Sequence, residues 1–172
     1  MTFKYVLDTN VFIQAHRRWY QFSFAQGFWT FLVDQHRNNV LTSIDKVRGE
    51  IKKGDELYDW MRTSAPGSLF ASTRQVSIGQ NYSELINWVM ANPRYDGAAK
   101  AQFARDADCW VMAFAKAHGA TVVSHEVSSQ AKGRVKMPDV CQQFSIDYRN
   151  TFYMLDSLHA QLGLPSPKRN KP

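Results

Sequence analysis

The sequence has few cysteines and no long apolar run, and both features narrow what it can encode. Its two cysteines, Cys109 and Cys141, lie in apolar helical patterns with no disulfide framework, so we expect two reduced thiols and no zinc site. No apolar stretch approaches the roughly 20 residues that span a bilayer. The first residues, MTFKYVLD, lack the apolar segment of a signal peptide. We therefore expect a cytoplasmic protein with no membrane partner.

Several motifs that indicate a particular chemistry are also missing. The chain contains no GxxxxGKS/T phosphate loop, no GxGxxG dinucleotide motif and no HExxH metalloprotease motif. Its five histidines are too scattered to predict a metal cluster, and their spacing predicts no Ser-His-Asp set. One of them, His125, is adjacent to a candidate acid and could contact a substrate.

The composition is typical of one soluble domain. The 172 residues are 44% hydrophobic and 21% charged, which suits a single globule with one sizeable core. We expect this domain to span residues 1–164, and the basic segment PSPKRNKP, residues 165–172, to be a disordered tail. The net charge of +6 and the isoelectric point of about 9.4 weakly favour a polyanionic partner.

Strand and helix patterns alternate along the chain, which is typical of an α/β fold with a parallel sheet. Short apolar runs rich in β-formers predict strands at 3–7, 40–42 and 120–124. A stretch rich in Ser, Thr, Pro and Gly predicts a loop at 63–79. Apolar residues at helical spacing predict a helix that begins near residue 11 and further helices at 24–36, 56–62, 80–91, 138–144 and 152–162. A helix at 43–54 is predicted to follow a cap at Thr42 or Ser43. The helix at 98–118 is predicted to break near residue 105 and to end at Gly119.

Four acids are predicted to meet at one edge of this sheet. Asp8 follows the first strand directly, and Glu126 follows the strand at 120–124. Asp108 lies near the start of the helix that leads into that strand, and Glu50 lies beside the apolar face of the helix after the second strand. Because ligands of parallel α/β sheets bind beyond the carboxyl ends of the strands, this edge is the candidate site.

Each acid also has an ordinary explanation. Asp8 could merely cap a helix, as could Asp106 or Asp108. Glu50 could face solvent, and Glu126 could lie in a loop. Together the acids are harder to explain in this way, because like charges that converge repel one another and need a counter-ion. Oxygen ligands without histidine or cysteine suit Mg²⁺ or Mn²⁺, ions that promote phosphoryl chemistry by activating water and neutralising phosphate.

In this order, the motifs resemble those of the PIN-domain ribonucleases of the VapC-like toxin superfamily. The resemblance starts with LDTN, continues with the acid in SIDKVRGEI, and ends with DADCWVMAFAKAHGATVVSHE, which fits D-x-x-x-x-A-x-A-x-x-x-G-A-x-V-V-S/T-x-D/E. The segments RRWYQFSFAQGFWTFLVDQH, GDELYDWM, KMPDVCQQF and NTFYML resemble the PIN subfamily labelled DUF4411 over nearly the whole chain. The resemblance implies a PIN-like three-layer fold with a central, mainly parallel sheet flanked by helices.

The resemblance also implies which residues form the site. The catalytic and metal-binding residues it implies are Asp8, Glu50, Asp108 and Glu126, with Asp106 as an alternative or additional metal ligand. Glu50 is preferred to Asp45 because it falls beside the face of Val47 and Ile51. Glu126 stands where many PIN domains carry an aspartate, so a longer-armed or water-mediated ligand is expected there.

Further residues are expected around these acids. Asn10 and Ser124 are interpreted as polar supports, and Asp139 either is structural or extends the site. Arg17 and Arg18 are the preferred candidates for binding the phosphates of a substrate. The aromatic side chains that follow are expected in the core rather than as stacking platforms for bases: Trp19, Tyr20, Phe22, Phe24, Phe28 and Trp29.

The activity implied by the resemblance is that of an endoribonuclease that uses Mg²⁺ or Mn²⁺ to hydrolyse RNA phosphodiester bonds, leaving 5′-phosphate and 3′-hydroxyl ends. PIN resemblance commonly implies the toxin of a toxin–antitoxin pair, held by a small DNA-binding antitoxin, and often a homodimer. Two alternatives stay open. One is a catalytically inactive domain that binds RNA or acts as a scaffold, and the other is a DNA-directed nuclease of the flap type.

Overall fold

A central parallel sheet organises the protein, for which a computed structural model describes residues 3–129 and 131–163. In these residues the sheet has five strands in the order β3-β2-β1-β4-β5, and every pairing is parallel. The predicted α/β class with a parallel central sheet is therefore confirmed. The strands are β1 (Tyr5–Leu7), β2 (Leu41–Ile44), β3 (Phe70–Ala71), β4 (Thr121–Val123) and β5 (Tyr148–Arg149).

Helices connect the strands. The described part of the chain contains α1 (Thr9–Gln14), α2 (Gln26–Arg37), α3 (Asp45–Glu50), α4 (Glu56–Thr63), α5 (Val76–Ala91), α6 (Gly97–Arg105), α7 (Asp108–His118), α8 (Met137–Gln143) and α9 (Thr151–Ser157). A π-helical segment, Ala15–Trp19, continues α1, and a 3₁₀ turn, Gly67–Leu69, precedes β3.

The strand order places the helices on both faces of the sheet. From β1 the chain moves outward through β2 to β3, and it then returns to the other side of β1 to form β4 and β5. Because parallel crossovers are right-handed, this reversal puts α1 to α4 on one face and α5 to α8 on the other. The helix α7 accordingly packs against β1, β2 and β4, and also against α5 and α8. The reversal leaves a topological switch point between β1 and β4, where open sheets bind ligands.

The predicted helices occur in the structure, but two of them end early: α3 ends at Glu50 rather than at residue 54, and α9 ends at Ser157 rather than at residue 162. The helix after β1 begins at Thr9 rather than near residue 11, and the break predicted near residue 105 separates α6 from α7. Gly119 ends α7 in the left-handed conformation, with φ at 64°, as predicted. Glycine suits this position because it has no Cβ to clash there.

Three sequence predictions are wrong. The stretch 63–79, predicted as a loop, contains the 3₁₀ turn, the edge strand β3 and the first residues of α5. The edge strand β5 was not predicted. Neither Thr42 nor Ser43 caps α3, because β2 extends through both residues to Ile44 and the helix begins at Asp45.

The core lies between the sheet and the helices. The strands β1 and β2 are buried along their whole length, as their apolar sequences predict. Cys109 and Cys141 are buried free thiols, as predicted, and burial raises the pKa of each far above its usual range. No described helix is long and apolar enough to cross a membrane. The predicted tail, residues 165–172, lies outside the described residues.

The aromatic residues near α1 and α2 divide into two groups. Phe28 and Trp29 are buried in the core, and Tyr20 and Phe22 pack against it, as expected. The prediction is wrong for Phe24, which is 68% exposed. It is also wrong for Trp19, which is half-buried outside the core and packs against aromatic residues at the carboxyl edge of the sheet.

Candidate functional site

Asp8 lies at the switch point, directly after β1, and it is fully buried. Its side chain caps α1: Oδ1 accepts a hydrogen bond from the Thr9 amide at 2.7 Å, and Oδ2 accepts one from the Asn10 amide at 3.4 Å. The Ser124 hydroxyl donates a third bond to Oδ2 at 2.7 Å. The strand, the cap and Ser124 together fix the position of this carboxylate.

Burial raises the pKa of Asp8 from its ordinary value of 3.8 to about 6. The hydrogen bonds from Ser124, Thr9 and Asn10 stabilise the ionised form and limit this rise. The negative charge of Glu126 adds to the rise. Three donors therefore do not compensate for the cost of burying the Asp8 charge.

Asp108 is the first residue of α7, and no described residue stabilises the ionised form of its carboxyl group. Burial, followed by the charges of Asp8, Glu126, Asp106 and Glu50, raises the pKa of Asp108 to about 8. No hydrogen bond or ion pair from the described residues opposes this rise. The Asp108 side chain lines a cleft together with Asp106 and Arg134.

Asp106, the alternative ligand, directly follows the last residue of α6 and lies two residues before Asp108. Its Oδ1 accepts a hydrogen bond from the side-chain amide of Gln102. Asp106 therefore contributes negative charge to the cleft, but part of its carboxylate is engaged within its own helix.

Glu50, at the end of α3, reaches the switch point from the opposite face of the sheet. One of its oxygens, Oε1, accepts a hydrogen bond from the Ala107 amide at 2.7 Å, and the other accepts one from the hydroxyl of Thr9. The Glu50 carboxylate thus connects the starts of α1 and α7. The less favoured Asp45 instead bonds Thr73, through Oδ1 at 2.9 Å, beyond β3.

Glu126 is paired with cations from its own chain. Its side chain is 4% exposed, and Oε1 lies 3.0 Å from the Arg134 guanidinium and 3.2 Å from Nζ of Lys136. Oε2 accepts a hydrogen bond from the amide of Met137, the first residue of α8, at 3.0 Å. The glutamate therefore fastens the segment after β4 to the start of α8.

Of the two predicted supporting residues, only Ser124 supports the acids through its side chain. Its hydroxyl donates to Asp8 and accepts a hydrogen bond from the Glu126 amide at 3.3 Å, so it joins the two acids. Asn10 contributes its backbone amide to Asp8 instead.

No hydrogen bond or ion pair within residues 3–129 and 131–163 joins the other candidate residues to the four acids. Arg17 is exposed and points toward Asp55, with 3.8 Å between Nη2 and Oδ2, and Arg18 is exposed on the same π-helical segment. Asp139 accepts hydrogen bonds from Arg94, at 3.1 Å, and from Ser128. These bonds favour a structural role for Asp139 over a place in the acidic site.

His125 lies at the sheet edge between Ser124 and Glu126. Burial lowers the pKa of its imidazole, which favours the neutral ring. The ring packs against Trp19 and Phe152, with centroids 4.7 Å and 5.6 Å away.

The fold brings the four predicted acids to one region but not into one tight cluster. Ser124 joins Asp8 to Glu126, and Glu50 bonds the amide of Ala107, the residue before Asp108. Within residues 3–129 and 131–163, no three histidine, cysteine or acidic side chains are grouped closely enough to hold a metal ion on their own. The arrangement offers carboxylate oxygens, a cleft beside them and an exposed guanidinium, which together suit a phosphate and a hard cation.

Sequence reasoning missed the groups that satisfy these acids. The role of the Thr9 hydroxyl could have been predicted from LDTN, because a threonine next to a capping aspartate is a recognisable signal. Arg134 and Lys136 lie in a segment without helix or strand periodicity, so nothing in the sequence places them beside Glu126. The Ala107 amide is a backbone group whose position depends on the break between α6 and α7.

Comparison with known proteins gives a family and no closer match. No curated protein and no solved structure matches the chain. A family model described as a domain of unknown function, DUF4411, matches residues 5–162, which cover the whole sheet and all four acids. The chain therefore belongs to the DUF4411 family.

Proposed function

We propose that the protein is a PIN-like, metal-dependent endoribonuclease, and that Asp8 and Asp108 are the centre of its site. One observation carries the proposal. At the switch point of a parallel sheet, the described residues do not compensate the ionised form of Asp8 or Asp108, so the pKa of both carboxyl groups is raised. Strongly perturbed carboxyls beside a cleft are typical of functional sites. The order of the acidic motifs, which resembles that of PIN-domain ribonucleases, gives the reaction class.

The donor chemistry fits Mg²⁺ or Mn²⁺. Both ions prefer oxygen ligands, and Mg²⁺ is usually held by one or two carboxylates while waters and substrate phosphates complete its shell. Asp8 and Asp108 would be those carboxylates, with Glu50 and Asp106 close by. A bound divalent cation would supply the missing positive charge, polarise a phosphodiester and make water more acidic.

The chain's own residues have distinct tasks in this proposal. Asp8 is rigid, because Thr9, Asn10 and Ser124 hold both its oxygens. No hydrogen bond or ion pair from the part of the chain that the structure describes holds the Asp108 carboxylate, so it is available to a cation. Arg134 holds Glu126 with one nitrogen and lines the Asp108 cleft, where its guanidinium, 60% exposed, would bind a substrate phosphate.

Cleavage of a labelled single-stranded RNA by the purified protein tests the proposal. We expect cleavage in Mn²⁺, none in EDTA, and 5′-phosphate ends on the products. Asp108→Asn should lower the rate at least about 100-fold, because it removes negative charge that acts on the reacting centre. The matched control is Asp59→Asn on the exposed surface of α4, which should cleave like the wild type. Cleavage by Asp108→Asn at the wild-type rate would refute the site.

An inactive RNA-binding domain is the second candidate, and one observation favours it. Glu126 is already neutralised by Arg134 and Lys136, so one of the four acids needs no metal. Isothermal titration with Mn²⁺ separates the two. A bound ion that is lost in Asp108→Asn supports the enzyme, and no bound ion supports the inactive domain. Including single-stranded DNA in the cleavage assay tests the flap-type alternative.

A toxin role, with an antitoxin and a homodimer as partners, is part of the proposal by resemblance. We expect expression of the wild-type protein to arrest bacterial growth and expression of Asp8→Asn to leave growth unchanged. If both proteins arrest growth at equal expression, the toxicity does not depend on Asp8.

A further inference from the structure

An open groove lies beside Glu126 at the carboxyl edge of the sheet. Its volume is about 580 Å³, within the roughly 300–1,000 Å³ typical of ligand sites. Most of the side chains that line it are aromatic or basic, among them Trp19, His125, Arg149, Phe152 and Tyr153. Because Glu126 lines the groove and is also one of the four acids, the groove adjoins the acidic site.

Three aromatic rings form a platform along this groove. The Trp19 ring lies 4.7 Å from His125 and 5.0 Å from Phe152, measured between centroids. The rings are tilted against one another, by 58° for Trp19 and His125 and by 62° for Trp19 and Phe152, so they hold one another in place and do not share a plane. The three residues come from distant parts of the chain: the π-helical segment, the segment after β4, and α9. Only the fold brings them together, which explains why sequence patterns did not reveal them.

The platform keeps apolar surface in contact with solvent. Phe152 is 46% exposed and Tyr153 is 50% exposed, although most large apolar side chains of the described residues are buried. Nε2 of His125 is covered by its neighbours and has no hydrogen-bond partner among the described residues. Exposed aromatic rings that adjoin a candidate site are typical of a binding surface.

The charge beside the platform is positive. The exposed Arg149 lies over the Tyr153 ring, 5.0 Å from its centroid, and its Nη1 is anchored 2.8 Å from the Tyr148 carbonyl. An aromatic surface next to an exposed guanidinium complements a base together with its phosphate.

We propose that this groove binds an unpaired nucleobase of single-stranded RNA, stacked on the exposed ring of Phe152, which packs against Trp19, with its phosphate near Arg149. The inference rests on the proposed action on RNA and adds its substrate class. Bases in a duplex are already stacked on one another and cannot enter, whereas splayed single-stranded bases stack readily on aromatic side chains. The groove would thereby restrict the acids to unpaired segments.

Fluorescence anisotropy with the full chain in EDTA tests binding separately from cleavage. The probe is a labelled single-stranded RNA of about ten nucleotides, compared with its duplex and with an abasic strand of the same length and charge. We expect Trp19→Ala and Phe152→Ala to weaken binding of the single strand by about tenfold or more. The wild type should bind the abasic strand and the duplex as weakly as these variants bind the single strand.

Two further variants separate stacking in the groove from other kinds of binding. Phe152→Leu preserves apolar bulk but removes the ring, so a stacking site loses affinity while a surface for an apolar peptide keeps it. Phe24→Ala removes an aromatic side chain outside the groove that is 68% exposed, and this variant should bind like the wild type. The proposal would be overturned if all the groove variants bind the single strand like the wild type. It would also be overturned if the wild type binds the abasic strand as tightly as the intact strand.

The outcome also separates this inference from the proposed function. If the aromatic variants lose single-strand binding in EDTA but the wild type cleaves no RNA in Mn²⁺, the groove stands and the nuclease proposal fails. If the wild type cleaves RNA and the groove variants bind and cleave equally well, the nuclease proposal stands and the groove fails.

Discussion

Two pairs of acids at the same sheet edge differ in how their charge is compensated. Glu50 and Glu126, the longer acids, are engaged by the chain: Glu50 by an amide and a hydroxyl, and Glu126 by two cations and an amide. In the shorter acids, Asp8 and Asp108, the described residues do not compensate the ionised form, and the pKa of each is raised. The glutamates therefore hold the segments of the site together, and the aspartates are the acids that we propose act on a bound cation.

This difference predicts opposite effects of neutralising the two kinds of acid. Glu126→Gln should destabilise the protein by about 2 kcal/mol, because it leaves Arg134 and Lys136 without their buried partner. The effect stays below that of a fully buried pair because Arg134 is 60% exposed. Urea unfolding at neutral pH measures it.

The matched control for this change is Glu84→Gln. Glu84 pairs with Lys116 at the surface, and its side chain is 54% exposed, so the loss should be at most about 0.5 kcal/mol. If the two glutamine variants lose the same free energy of unfolding, Glu126 does not hold the segment after β4 to α8.

Asp108→Asn should instead stabilise the metal-free protein, by about 1–2 kcal/mol at pH 8. The folded state of the wild type holds the Asp108 proton up to a pKa of about 8, whereas the unfolded chain releases it near 3.8. Between these values the folded state binds more protons, so wild-type stability falls as pH rises. The stability gain of the variant should vanish near pH 4 and grow toward pH 8 in urea titrations with EDTA.

Asp106→Asn serves as the comparison for that experiment. This acid is partly exposed and bonded to Gln102, so its substitution should change stability less than that of its neighbour. A gain for Asp108→Asn that is the same at pH 4 and pH 8 would contradict the assignment of uncompensated charge.

The smallest expected effect concerns the residue that joins the two kinds of acid. Ser124→Ala removes the hydroxyl that donates to Asp8, and it should cost about 1 kcal/mol. The pKa of Asp8 should rise further, because this hydrogen bond is the strongest influence that lowers it. Urea unfolding gives the cost, and an unchanged Asp8 titration in the variant would show that the serine plays no electrostatic part.

The parts of the fold that could be predicted have strong local signals. β1 and β4 are buried apolar runs that end at polar residues, and Gly119 is a clear helix end. The edge strands β3 and β5 have two residues each, which is too short for any periodicity. They form because β2 and β4 offer unpaired edges, and that information is not local in sequence.

The site divides in the same way. Asp8 could be placed because it ends a recognisable strand, and Asp108 because it begins a long helix. The partners of Glu126 come from a segment that follows no periodic pattern, so the sequence could not show that this acid is neutralised. The proximity of the aromatic groove to the acids likewise depends on tertiary contacts between distant segments.

The titration of the Asp8 and Asp108 carboxyl groups tests the central claim most directly. Carboxyl ¹³C NMR of the metal-free protein should show Asp108 titrating at about pH 8 and Asp8 at about pH 6. Addition of Mg²⁺ should lower both values, because a bound cation stabilises the ionised carboxylates. Values near 3.8 without metal, or values that Mg²⁺ leaves unchanged, would contradict the account.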